Sequence, residues 1–484
     1  MSFASLQFVF YAVGFLLNLI AAAMAVPAAV DYFDGNPDWR VFLASMAVTF
    51  YVGLSLMEAN RNATRRMSVR TGFLLTTLGW VVVTAFAALP LAFCSLHIGF
   101  TNAFFEAMSG LTTTGSTVLT GLDDMAPGLL LWRSMLQGIG GLGIIAMAMI
   151  MMPFLRVGGM QLFHSESSDI SERPVPRAFH VVGITALVYC GLILACAVAL
   201  VAAGMPLFDA VNHAMAAIAT GGFSTKDASV GYFRSVPIEA VLIVFMTLGA
   251  LPLVFYARLA MNWRRALSRE RQVPTFLAVL GVAILAVAAL RWHTGHVPFA
   301  AALRQAAFNV TSVLTDTGFA TADYGAWGEW AVAAFMLLMF IGGCAGSTAG
   351  AIKIFRWQIL FRGMVDQMRR ALSPHRVAVV RHEGHVVDEG TIGSVRNFFF
   401  MYLLTWAGLT TACMVSGMDY LSATSGVAQA MANAGPGLGE LIGPAGNFRE
   451  IPDAAKWVLS AAMLLGRLEL TTVYVLLTMA FWRD

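Results

Sequence analysis

Ten apolar runs, most of them twenty residues or longer, limit what this chain can fold into more than any other feature of its sequence. They lie at about residues 4–28, 40–58, 71–95, 128–154, 178–204, 237–262, 274–291, 329–361, 394–416 and 454–482. An α-helix of about 20 residues covers the roughly 30 Å hydrocarbon core of a bilayer. With 58% hydrophobic and 12% charged residues and a mean hydropathy of +0.73, the chain is excluded from the ordinary water-soluble class. A β-barrel would instead show short segments of alternating polarity. The expected fold is therefore an all-α, polytopic membrane protein with ten crossings. The opening stretch, MSFASLQFVFYAVGF, has no basic residue before Arg40 and reads as the first membrane helix, not a cleaved signal. Five scattered cysteines (Cys94, Cys190, Cys196, Cys344, Cys413) form no CxxC pair and read as inert thiols.

Basic residues fall in alternate loops. Residues 61–70 carry four, 156–177 three, 258–271 five and 353–396 eight. The excess of Lys and Arg in cytoplasmic loops makes these cytoplasmic, together with both termini. The opposite loops, such as DYFDGNPDWR and GLDDMAPG, are acidic or mixed and are expected outside.

After the first two runs, each successive pair is joined on the outside by a segment too short to span, ending in a polar tail. The tails are SGLTTTGSTV, AAIATGGFST, SVLTDTGFAT and QAMANAGPGL. They align without gaps on Gly115, Gly222, Gly318 and Gly435. Twelve residues earlier stands alanine in every case (Ala103, Ala210, Ala306, Ala423), and four earlier a bulky apolar residue (Leu111, Ile218, Leu314, Met431). The separations of about a hundred residues suit whole helix–loop–helix units, not solenoid repeats. Irregular backbone at membrane depth must be buried in protein or line a watery cavity. Four such loops around one axis would let carbonyls replace the hydration shell of a monovalent cation, and the negative ends of four short helices would favour positive charge there. Cations are the expected substrate.

These glycines and their placement resemble the Trk/Ktr/HKT superfamily of potassium transporters, and within it the TrkH-like bacterial membrane subunit. The resemblance covers nearly the whole chain. It implies a potassium-channel-like pore folded from one polypeptide, with an additional N-terminal helix pair at 1–66 and pore units at 67–160, 161–265, 266–393 and 394–484. It implies potassium at a filter of Thr113, Thr114 and Gly115, Thr220, Gly221 and Gly222, Asp316, Thr317 and Gly318, and Asn433, Ala434 and Gly435. Glycine at all four positions, with no serine in the first, resembles the potassium-selective members. Two departures leave selectivity open: Asp316 stands where Thr113 and Thr220 occupy other repeats, and the fourth tail has Asn433 and Pro436. The Asp316 carboxylate would either add a cation site or turn behind the filter as scaffold.

The stretch FIGGCAGSTAGAIKIFR (Phe340 to Arg356) breaks the eighth run. Gly342, Gly343, Gly346 and Gly350, with Ser347 and Thr348, make a continuous helix improbable. A phosphate loop is a poor match, because Lys353 neither follows a glycine nor precedes Ser or Thr; helix-packing glycines are the plainer alternative. The resemblance implies an intramembrane gating loop beneath the filter. Arg467, deep in the last run, is costly there and should face a cavity or partner. The resemblance implies an electrostatic barrier near the gate; capping carbonyls or pairing with Glu106 or another acid is the alternative. Glu469, two positions on, points to another helix face.

Family likeness further implies a homodimer and a cytosolic, nucleotide-binding, TrkA-like regulatory subunit against the basic loops, which could equally hold anionic lipid headgroups. The setting is a bacterial inner membrane. Potassium enters as substrate, no cofactor is implied, and neither enzymatic chemistry nor nucleic-acid binding is expected. His382 and His385, in RHEGH, lack HExxH spacing and read as solvated loop. A broken-helix secondary transporter of another monovalent cation, proton- or sodium-coupled, is the rival, though such folds typically use two inverted repeats.

Overall fold

In the computed structural model the described residues are 3–63, 68–151, 174–261, 270–373, 381–382 and 385–483. Much of the four basic loops, including 64–67, 152–173, 262–269 and 374–380, lies outside them.

The chain begins with two antiparallel helices, α1 (Phe3–Asp34) and α2 (Trp39–Ala59). Gly14 and Gly53 let them touch: a methyl group on Gly14 would fall 2.6 Å from the Gly53 carbonyl, the close approach that small residues permit between membrane helices. The acidic stretch between α1 and α2 does structural work. Asp31 accepts the Gly128 N–H at 2.6 Å, and Asp38 accepts the Ser95 N–H and hydroxyl at 3.1 and 2.8 Å. The pair is thereby tied to the first repeat.

Four units follow, each with a descending helix, a short helix and a return. The first comprises α3 (Val69–Ala87), α4 (Leu89–Phe93), α5 (Phe100–Leu111) and α6 (Pro127–Met151). The second has α7 (Pro174–Ala202), α8 (Leu207–Ile218), α9 (Val236–Gly249) and α10 (Leu253–Met261). The third has α11 (Gln272–Gly295), α12 (Phe299–Leu314), α13 (Glu329–Leu338) and α14 (Ile354–Leu372). A two-residue antiparallel pair, Arg381–His382 with His385–Val386, precedes the fourth: α15 (Glu389–Val415), α16 (Tyr420–Ala432), α17 (Asp453–Arg467) and α18 (Thr471–Leu477). A last turn, α19 (Met479–Arg483), ends the described chain.

The ten expected crossings are not ten straight helices. Six described helices are long and apolar enough to span, and two bent pairs would make eight if each is one span, bent by 93° at Val236–Gly249 and Leu253–Leu259 and by 113° at Asp453–Arg467 and Thr471–Leu477. Pro252 sits at the first bend, where it cannot continue the hydrogen-bond ladder. At the second, Glu469 adopts a left-handed backbone (φ 55°) and its carboxylate takes the Arg356 guanidinium at 2.6 Å. The eighth run is irregular from 339 to 353.

Apolar packing follows this division. One buried cluster joins α1 and α2 to the first and fourth units, a second centres on the third unit and a third on the second. Outward positions such as Leu187, Leu194 and Val198 stay exposed and apolar, as a lipid-facing surface requires. Cys94, Cys196, Cys344 and Cys413 are buried and outside any disulfide, whereas Cys190 is exposed.

Candidate functional site: a four-loop ring and the segment beneath it

The four short helices α5, α8, α12 and α16 all end in the same way. Two positions before the aligned glycine the backbone is left-handed: φ is 52° at Thr113, 50° at Thr220, 60° at Asp316 and 58° at Asn433. The next N–H reaches back to the helix: Thr114 to Ser109 O, Gly221 to Ala216 O, Thr317 to Ser312 O (2.8 Å each) and Ala434 to Gln429 O (3.0 Å). The left-handed residue's own N–H bonds the carbonyl three before it. This is the Schellman ending of a helix, usually made with glycine. A non-glycine residue there costs about 1–2 kcal/mol, so the conformation is held by its surroundings. The aligned alanines Ala103, Ala210, Ala306 and Ala423 are all fully buried.

The aligned glycines also share positive φ, 89° at Gly115, 76° at Gly222, 90° at Gly318 and 94° at Gly435. They close a ring. A methyl group on Gly115 would meet the Gly221 carbonyl and lie 3.5 Å from Gly222 Cα, and one on Gly222 would meet the Thr317 carbonyl. On Gly318 it would fall 2.5 Å from the Ala434 oxygen, and on Gly435 3.2 Å from the Thr114 oxygen. Each glycine thus faces the carbonyl that the next unit offers one residue before its own glycine. All four line one cavity of about 70 Å³, shared with Ser116, Arg133, Lys226, Asp227 and Pro436.

The ring is less symmetric than four equal loops would be. The Gly221 carbonyl accepts from Gln137 Nε2 at 2.5 Å and the Gly435 carbonyl from the Ser116 hydroxyl at 2.8 Å, each oxygen keeping a second lone pair. Thr112 and Thr114 share a hydroxyl contact of 2.8 Å, as do Thr315 and Thr317 across the ring; the other two units have Ala219 and Gly221, and Ala432 and Ala434, at those positions. Asn433 Nδ2 bonds Thr114 Oγ1 at 2.9 Å, joining the fourth unit to the first.

The 339–353 segment lies across the C-terminal ends of the short helices α8 and α16. Thr348 Oγ1 contacts Ile218 O at 2.9 Å and Gly249 O at 3.0 Å; the Ala351 N–H reaches Ala432 O at 2.9 Å; Cys344 N–H reaches Ala250 O at 2.9 Å. Ile218 and Ala432 stand four and three residues before their ring glycines and do not line the cavity. Gly342 and Gly343 admit close neighbours: a methyl on Gly342 would meet the Gly350 carbonyl, and one on Gly343 would lie 2.8 Å from the Ala250 carbonyl. Gly346 has φ 75°, and its carbonyl accepts the Leu253 N–H at 3.0 Å. Ser347 bonds Cys344 O at 2.6 Å. Lys353 Nζ contacts Ala349 O, and Arg467 Nη1 donates to Thr348 O at 2.7 Å.

Two expectations on side chains are corrected or refined. Glu106 does not pair with Arg467; it takes Arg133 at 2.8 Å, both buried. The Asp316 carboxylate lies toward the 339–353 segment, 3.2 Å from where a Gly342 methyl would sit, with Lys353 and Arg467 among its charged neighbours. Glu469, as expected, is no partner of Arg467. Among the described residues no group of three or more His, Cys, Asp and Glu is placed to hold a metal ion.

Sequence reasoning missed the return-helix residues. Gln137 bridges Gly221 O and the Phe223 N–H, and Gly140, Gly249 and Gly466 pack against the carbonyls of Leu111, Ile218 and Met431, each four before a ring glycine. Polar Arg133 and Gln137 inside the 128–154 run were the available signal, since polar groups at membrane depth serve a purpose.

Comparison with known proteins agrees with this architecture. A family model described as TrkH, cation transport protein, matches residues 39–482. The Trk system potassium uptake protein TrkI of Halomonas elongata is 44% identical over 471 residues, covering 96% of this chain and 95% of that one. TrkH of Escherichia coli K12 is 36% identical over 479 residues, 98% of each. The crystal structure of the potassium transporter TrkH from Vibrio parahaemolyticus superposes with a TM-score of 0.91 at 33% identity over the full length of both chains. Four like units around one ring, spanned by helices of membrane length and matched end to end by these relatives, make this chain a member of the TrkH family of cation transport proteins.

Proposed function

We propose that this chain is the potassium-conducting subunit of a bacterial Trk uptake system, seated in the inner membrane with both termini cytoplasmic. The observation that carries the reading is the closed ring, in which each of Gly115, Gly222, Gly318 and Gly435 meets a carbonyl of the next unit. Dehydrated potassium would be held by backbone oxygens of Thr113 to Gly115, Thr220 to Gly222, Asp316 to Gly318 and Asn433 to Gly435, at the negative ends of four short helices. Residues 1–66 then form an accessory pair, and 67–160, 161–265, 266–393 and 394–484 the four pore units.

The segment from Gly342 to Gly350, with Lys353 and Arg467 at its edge, acts as the gate. It lies where an ion leaving the ring inward would pass, and its fastening to Ile218, Ala432 and Arg467 supports a closed position. Asp316 serves as scaffold and counter-charge facing that segment. The functional unit is a homodimer, regulated by a cytosolic nucleotide-binding subunit that docks on the basic loops.

Rubidium-86 uptake into proteoliposomes, competed with potassium, sodium or lithium, tests the reading beside Gly115→Ser. Competition by potassium far above sodium, weakened in the variant, is expected. Equal competition by all three ions in the wild type would overturn the filter.

A further inference from the structure

The limb of each loop that leaves the ring outward has few backbone partners, yet in every unit it is fastened by a polar side chain from the middle of the preceding short helix. In the first three units that side chain stands nine residues before the ring glycine. Glu106 accepts the Thr117 hydroxyl at 2.9 Å and the Val118 N–H at 2.8 Å. His213 meets the Ser224 hydroxyl through Nε2 at 3.0 Å. Asn309 accepts the Thr321 N–H at 3.2 Å through Oδ1 and contacts the Thr321 hydroxyl at 3.1 Å through Nδ2. In the fourth unit that register holds Gly426, and the preceding Ser425 takes over, accepting the Leu438 N–H at 2.9 Å. All four side chains are fully buried.

Short helix and departing limb are joined in all four units, within one position of a common register, by four chemistries: carboxylate, imidazole, carboxamide and hydroxyl. Val118, Thr321 and Leu438 each stand three residues after a ring glycine, so in three units the bond satisfies the equivalent N–H. Each brace is itself held. Glu106 is backed by Arg133, whose Nη1 also donates to Ser224 O at 2.9 Å in the second unit. His213 Nδ1 faces the Asp209 carbonyl at 2.8 Å; a carbonyl only accepts, so Nδ1 carries the proton and a neutral ring offers Nε2 as acceptor to Ser224. Asn309 Nδ2 donates to Gln305 O at 2.8 Å.

We propose that Glu106, His213, Asn309 and Ser425 are positioning residues that set ion discrimination by fixing the outer limb of each loop, and so the spacing of the ring carbonyls. The inference rests on the filter reading above. A ring that is held open cannot contract around a smaller ion, whereas a released limb lets its carbonyls follow sodium inward. The third unit offers the cleanest trial, because Asn309 carries no charge whose loss would strand a buried ion partner.

The test is equilibrium ion preference, which needs no open gate: the thermal stabilisation of the purified full-length protein by potassium and by sodium, titrated separately and compared with choline. Asn309→Ala should lower the potassium-over-sodium preference about tenfold, beside whatever fall in the choline midpoint the loss of its buried bonds brings. Asn309→Asp, which keeps an acceptor for the Thr321 N–H, should retain most of it. An unchanged preference in Asn309→Ala, with a reduced one in Gly222→Ser, would overturn the brace and leave the filter standing. Equal losses in both Asn309 variants, accompanied by a lower midpoint in choline, would make the residue merely structural and also overturn it. An unchanged preference in Gly222→Ser would overturn the filter reading and this inference with it.

Discussion

Arg467 fastens the 339–353 segment to the fourth unit by donating from Nη1 to the Thr348 carbonyl at 2.7 Å. A hydrogen bond from a charged group is worth about 1.5–3 kcal/mol. Were the segment the gate, Arg467→Ala should raise basal rubidium uptake about tenfold or more in liposomes without a regulatory subunit, with Arg467→Lys intermediate. Wild-type uptake in Arg467→Ala would remove the residue from gating.

Thr348 holds the same segment from the other side, through its hydroxyl on Ile218 O and Gly249 O. Thr348→Val keeps the volume and deletes the bond, a loss of about 0.5–1.5 kcal/mol. Uptake should rise, less than in Arg467→Ala. The double variant should be non-additive, because both residues act on one peptide unit; strict additivity would mean two independent fastenings.

The ring glycines should differ in tolerance. At Gly222 a methyl group would run into the Thr317 carbonyl, whereas at Gly435 the nearest oxygen would be 3.2 Å away. Both substitutions place a side chain at positive φ, a cost of about 1–2 kcal/mol. Sodium should therefore compete more effectively against rubidium in Gly222→Ala than in Gly435→Ala. The reverse order, read from the same competition assay, would contradict the ring geometry.

Arg133 is buried against Glu106, donates to Ser224 O and lies 4.2 Å over the Phe223 ring. Removing one member of a buried ion pair costs about 3–5 kcal/mol because the other charge stays buried. Arg133→Met should depress the thermal midpoint strongly in detergent, and Glu106→Gln introduced with it should restore part of the loss. If the double variant is as unstable as the sum of its parts, the two residues are not coupled.

The four-unit plan was legible because it is written in spacing. Ala103, Leu111 and Gly115 recur at the same intervals in all four units, and the structure gives the aligned alanines the same burial and the aligned glycines the same positive φ. The break after Phe340 was legible for a related reason, since four glycines in nine residues oppose a helix. The bends were not. Glu469 is an ordinary helix former, and only its distant partner Arg356, 113 residues away in sequence, makes a left-handed turn there worthwhile. Gln137 and Arg133 lay in view as polar residues of an apolar run, but their targets are in another unit, at Gly221 and Ser224. Spacing within one unit carries no record of contacts between units.

The threonine pairs Thr112 with Thr114 and Thr315 with Thr317 sit in the first and third units, while alanine and glycine occupy the same places in the second and fourth. An assembly of four identical chains could never hold that pattern, because any change would appear in all quadrants at once. Here each quadrant is encoded separately, so a single nucleotide change alters a quarter of the ring and leaves three quarters as they were. Heredity can therefore adjust this ring in small steps, and two diagonal quadrants carry a chemistry of their own.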